Sequence, residues 1–155
     1  MGADRANMAY HIMNQIRDGD GIVAGKIMER EILIPTAEVL TLFSAPKEMV
    51  PAQGAGKVIE FISAVLFLDY NTTQYATAGN LRFHMGTTGT VVSDQIDTGD
   101  FMDEAADTYR VVHALYADES LEDNEALTLM CKTADPTAGD SPINVRVSYR
   151  IHDFS

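Results

Sequence analysis

The longest apolar run of this chain covers residues 56–70, with Ile59, Phe61, Val65 and Phe67 at odd positions and Val58, Ile62, Ala64, Leu66 and Leu68 at even ones. A strand sends alternate side chains to opposite faces. Read as one regular strand, this run is apolar on both faces, whereas a half-buried sheet keeps one face polar. Leaving the second face in water would forgo about 1.5–3 kcal/mol per large side chain. One face is therefore expected to meet a second sheet, and the other an arm, a loop or a partner subunit.

The rest of the chain from residue 29 also reads as β. Residues 29–34 form a short strand stopped by Pro35, and 39–43 a second, stopped near Pro46. Residues 47–50 are extended and closed by Pro51, and 52–56 turn into the long run. A short extended piece follows at 74–77. Leu81, Phe83 and Met85 then alternate with Arg82 and His84, and a turn at 86–89 leads into 90–93. Ile96, Phe101 and Met102 are candidate anchors for a short helix or loop, and 109–116 is a strand. The end of the chain gives the clearest alternation. Leu127, Leu129 and Cys131 face one way in 126–133. Val145, Val147, Tyr149 and Ile151 face one way in 143–154, against Asn144, Arg146, Ser148, Arg150 and His152. About eight short strands with frequent turns predict an all-β fold, an antiparallel sandwich or barrel.

Residues 1–28 stand apart as an N-terminal arm, extended or with a short helix. Met8, Ile12 and Ile16 recur at helical spacing, with Met13 beside them, before the break Asp18-Gly19-Asp20-Gly21. Two turns of helix are marginal alone, so such a segment must dock on something. The expected division is an arm at 1–28 and a β-sandwich domain at 29–155.

Composition narrows the partners. A net charge of −12 repels phosphate backbones, so nucleic acid is not expected. Apolar content of 46% supports a folded core, and 155 residues suit one domain. The one cysteine, Cys131, has no intrachain disulfide partner and falls on a core face. No stretch reaches the roughly 18 apolar residues of a membrane span. The N-terminus lacks a basic region followed by an apolar core, so synthesis in the cytoplasm without a signal peptide is expected.

Motifs of chemistry are not found. Gly54-Ala55-Gly56-Lys57 resembles the end of a phosphate loop. Pro51 stands where that pattern needs glycine, and Val58 where it needs Ser or Thr. His11, His84, His113 and His152 lack zinc-ligand spacing. The acidic loop at 118–125 lacks the glycine and spacing of an EF-hand and reads as solvated. A glycine-flanked serine elbow is absent. No enzyme, cofactor or metal site is expected.

Several phrases resemble small virion proteins of tailed bacteriophages. The segment Ser44-Ala45-Pro46-Lys47-Glu48-Met49-Val50-Pro51-Ala52-Gln53-Gly54-Ala55-Gly56-Lys57-Val58-Ile59 is similar to one leading into a long apolar strand there. Leu68-Asp69-Tyr70 and Tyr75-Ala76-Thr77 match its continuation. Asp135-Pro136-Thr137-Ala138-Gly139-Asp140 and Val145-Arg146-Val147-Ser148-Tyr149-Arg150-Ile151 resemble the same proteins' last hairpin. The likeness spans roughly 35–154. It implies a capsid decoration, or cement, protein with a jelly-roll fold. Such a protein binds the major capsid protein on the outside of the virion as a homo-oligomer, a trimer rather than a dimer. A host-glycan or receptor-binding module of a tail or head fibre is the alternative. The candidate interface residues are then Met8, Ile12 and Ile16 of the arm, the cations Lys26, Arg30, Lys47 and Lys57, and Phe61 and Phe67 of the long run.

Overall fold

The structure is a computed structural model that describes residues 25–76, 79–115 and 120–155. Two antiparallel sheets make an all-β sandwich. The seven strands are β1 (Met28–Ile34), β2 (Lys47–Val50), β3 (Lys57–Leu68), β4 (Leu81–Met85), β5 (Thr108–His113), β6 (Leu127–Cys131) and β7 (Ile143–Asp153). One sheet has the order β1-β7-β3-β5 and the other β2-β6-β4, so successive strands alternate between layers. Residues 91–96 lie beside β4 through the isolated bridges His84–Val91 and Leu81–Ile96, without forming a regular strand. The arm at 1–28 lies almost wholly outside the described residues, and Met8, Ile12 and Ile16 with it.

The long run is indeed one strand, but it is not regular. Phe61 pairs with Tyr149 and Ser63 with Ser148, so Ile62 is one residue too many. That bulge shifts the alternation by one position. Before it the odd residues Ile59 and Phe61 are buried, and after it the even residues Ala64, Leu66 and Leu68. Most of the two-faced character of the run is therefore one core face written in two phases. Phe61 and Phe67, which regular alternation puts on one face, lie on opposite faces. Phe61 is fully buried and stacks on Phe83 of the other sheet, with ring centroids 4.7 Å apart. It belongs to the core and not to any surface of the described chain.

Leu81, Phe83 and Met85 on β4, Leu127, Leu129 and Cys131 on β6, and Ile143, Val145 and Val147 on β7 fill the space between the sheets. Phe101 and Met102 close one side from the connection between β4 and β5, just after a short 3-10 turn (Thr98–Asp100) whose start is capped by Asp97. The strand expected at 39–43 is absent. Thr36–Val39 forms a single helical turn, α1, and tighter turns carry the chain to Ser44. Val39 and Leu42, three apart, are the buried pair, so the helical period wins over alternation there.

The turn into β3 depends on glycine. Gly56 has φ +77°, and a Cβ placed on it would fall 2.8 Å from that of Ser155. Its carbonyl accepts the Phe154 N–H at 2.8 Å, which ties the end of the chain to the start of β3. The acidic residues have specific roles of the same kind. Asp140 accepts from the Thr72 N–H at 3.1 Å and the Thr73 N–H at 2.9 Å, and Asp135 from Phe43 and Ser44 at 2.8 and 2.9 Å. Glu122 accepts from both the N–H and the hydroxyl of Thr90. The Thr72 hydroxyl on Asp140, the Ser44 hydroxyl on Asp135 and the Thr90 hydroxyl on Glu122, together with these N–H groups, hold the three carboxyls below their usual pKa range.

Candidate functional site

Cross-strand partners share a face, so the registers map the outer surface of the four-stranded sheet. One row across the strands reads Leu33, Asn144, Phe67, Tyr109. The next reads Glu31, Arg146, Val65, Val111, and the third Glu29, Ser148, Ser63, His113. On the far side of the bulge the outer residues are Glu60 and Val58, opposite Arg150 and His152.

The bulge divides this surface into two unlike halves. On the Lys57 side, the His152 ring nitrogen Nε2 lies 2.7 Å from Glu60, Arg150 lies 3.6 Å from the same carboxylate, and Lys57 lies 3.7 Å from Asp153. On the Leu68 side the surface is apolar. Val65 is 47% exposed, Tyr109 64%, Val111 59% and Leu33 56%. Phe67, half-buried, stacks on Tyr109 with centroids 4.5 Å apart. A depression of about 330 Å³ opens beside these rings, lined by Val65, Phe67, Tyr109, Asn144, Val145 and the Glu31–Arg146 pair. Glu31 and Arg146 meet at 2.9 Å and are mostly exposed. Such a pair is worth about 0–1 kcal/mol and does not hide the apolar strip.

The other expected interface residues fall elsewhere. Lys47 is paired with Glu38, and Lys57 with Asp153, so both cations are neutralised within the chain. Lys26 and Arg30 are exposed without an ion-pair partner among the described residues. Of the sequence-derived candidates among the described residues, only Phe67 borders the strip. Tyr109, Val111, Val65 and Leu33 were missed as interface residues. They become a group only through pairing of three distant strands, and the signal within reach was the alternation of Tyr109 and Val111 with Arg110 and Val112.

Among the described residues no three His, Cys, Asp or Glu side chains are grouped to hold a metal ion. His84 is half-buried, its Nδ1 lies 3.3 Å from the Gly89 carbonyl, and its Nε2 is buried without a partner. Burial lowers its pKa. The Cys131 thiol is sealed in the core, and burial pushes its pKa up to about 12.

Fold and surface together define a two-sheet β-sandwich with one unfinished sheet face. No family model matches the sequence, and no curated protein matches it. Two solved structures are similar in fold. One is the capsid asymmetric unit of cyanophage Pam1, at TM-score 0.48 and 11% identity over 80% of this chain and 82% of that one. The other is the capsid of Ralstonia phage GP4, at TM-score 0.46 and 15% identity over 86% and 88%.

Proposed function

We propose that this chain is a structural virion protein of a tailed bacteriophage. In this reading it binds the outside of the shell as a decoration, or cement, protein and touches the major capsid protein as a homo-oligomer. The apolar strip at Val65, Phe67, Tyr109 and Val111 carries the reading, because a free monomer would leave it in water. The phage-like phrases at 44–59 and 135–151 direct it to the virion. The strand order, with 91–96 in the eighth place, supports a jelly roll built of two Greek keys. Both similar solved structures come from phage capsids, a likeness that at such identity does not assign a role. In this reading the chain catalyses nothing.

Electron microscopy of the purified particle tests the proposal. Density for this chain spread over the whole shell is the expected result, and its absence from the shell would overturn it. A second reading has one observation in its favour. Exposed Tyr109 stands beside Asn144, Arg146 and Glu31 around a hollow of sugar size, as glycan binding would require. Copies at a single vertex, and glycan binding lost in Tyr109→Ala, would favour that fibre-type module.

A further inference from the structure

We infer that the apolar strip of the four-stranded sheet is the seat for residues 8–16 of a neighbouring copy of this chain. This inference rests on the assembly role proposed above and names what covers the strip.

The strip and the segment match in size. Met8, Ile12 and Ile16 recur every four residues. On a helix they would share one face and span about 12 Å. The row Leu33, Asn144, Phe67, Tyr109 crosses four strands, or about 14 Å at the usual strand spacing. A two-turn helix laid across the strands would cover nearly the whole width of the row, with its three apolar side chains about 6 Å apart. The segment is also the one apolar repeat in the sequence that no described strand uses.

The direction of β1 favours a neighbouring copy over the same one. β1 runs toward the strip: Met28 pairs with Tyr149 at the far end, and Leu33 with Asn144 beside Phe67. Its first residue is therefore about 10 Å, three residues, from the nearer apolar row and about 17 Å, five residues, from the farther one. To cover its own strip, the preceding segment would have to double back past Glu60, Arg150 and His152. Continuing along the line of β1 past the end of the sheet would instead carry it away from its own strip and toward a neighbouring molecule. Residues 17–27 can span up to about 36 Å, with two glycines among residues 18–21 to give freedom of direction.

Charge supports the same pairing. Residues 1–17 hold Arg5 and Arg17 against Asp4, a formal +1, in a chain of −12 overall. The remaining residues carry −13, so the net charge of a second copy opposes the approach of this segment less than that of the rest of the chain.

Disulfide trapping in the full-length chain tests the idea. Cys131 is buried and does not compete. A tagged Ile12→Cys chain is mixed with an untagged Val65→Cys chain and oxidised mildly, after circular dichroism confirms that both fold. The expected result is a mixed disulfide dimer, absent when the second chain carries Lys132→Cys, just past β6. A monomeric disulfide in the double variant Ile12→Cys/Val65→Cys, without the mixed dimer, would mean that the segment covers its own strip and would overturn the exchange. No disulfide in either experiment would overturn it too. Light scattering on the wild type separates the two proposals: an oligomer without the cross-link leaves the assembly role standing, and a monomer removes its support.

Discussion

The two halves of β3 share one sheet and one continuous neighbour, β7, yet their outer surfaces are opposites. Before Ile62 the surface is charged and ion-paired, with Glu60 held between His152 and Arg150. After it the surface is apolar and open, with Val65, Phe67, Tyr109 and Val111 in water. The inner faces show no such contrast, since Ile59 and Phe61 are as buried as Leu66 and Leu68. The core thus places the same demand on both halves, and the outer surface reflects a different one. A completed ion-paired surface suits solvent, and an apolar one suits contact.

Deletions give the largest way to break this contrast. Removing Ile62 restores simple alternation and keeps every buried residue of β3 facing inward. It should fold, with a loss of about 1–2 kcal/mol that includes the bond its carbonyl accepts from Ala114. Removing Phe67 instead makes Leu66 and Leu68 adjacent, so one of them must turn outward, and it should give no cooperative unfolding transition by circular dichroism. An Ile62 deletion that fails to fold would refute the two-phase account of the strand.

Truncating the two phenylalanines comes next. Phe61→Ala should cost about 3–5 kcal/mol in urea unfolding, because it empties space against Phe83. Phe67→Ala should cost about 1 kcal/mol, chiefly its stacking on Tyr109, yet weaken self-association seen by sedimentation. Equal losses of stability would erase the distinction between the faces. Smaller still, Glu60→Gln should cost at most about 1 kcal/mol, since its partners are partly solvated.

The last effect appears only in acid. The Asp153 carboxyl is held below its usual range by the Ser155 hydroxyl and N–H, and by Lys57. A depressed carboxyl pKa contributes stability that is present above the ordinary carboxyl pKa and lost as pH falls through the folded value. Asp153→Asn should therefore flatten the acid limb of stability against pH, while Phe67→Ala should leave its slope unchanged.

The strands were legible in the sequence where alternation ran unbroken. β4, β6 and β7 fall within a residue or two of their expected places. β3 was found, but its faces were misassigned, because a bulge depends on how the partner strand pairs and leaves no local mark. The turn at 36–44 was misread because Val39, Thr41 and Phe43 alternate as a strand would, while Pro35 and the burial of Leu42 decide for a helical turn. The acidic loop at 118–125 looked solvated because the partner of its Glu122, the Thr90 N–H, lies 32 residues away in sequence. The candidate site was least legible of all, since a surface assembled from β1, β3 and β5 exists only once those strands have met.

Cys131 also gives the molecule a clock. It sits on β6, the middle strand of the three-stranded sheet, between β2 and β4. A thiol reagent reaches it only when that strand parts from its neighbours, so the rate of its labelling measures how often the sandwich opens. In a particle, slower labelling than in the free chain would report the lifetime that assembly adds, read from one atom far from the surface that makes the contact.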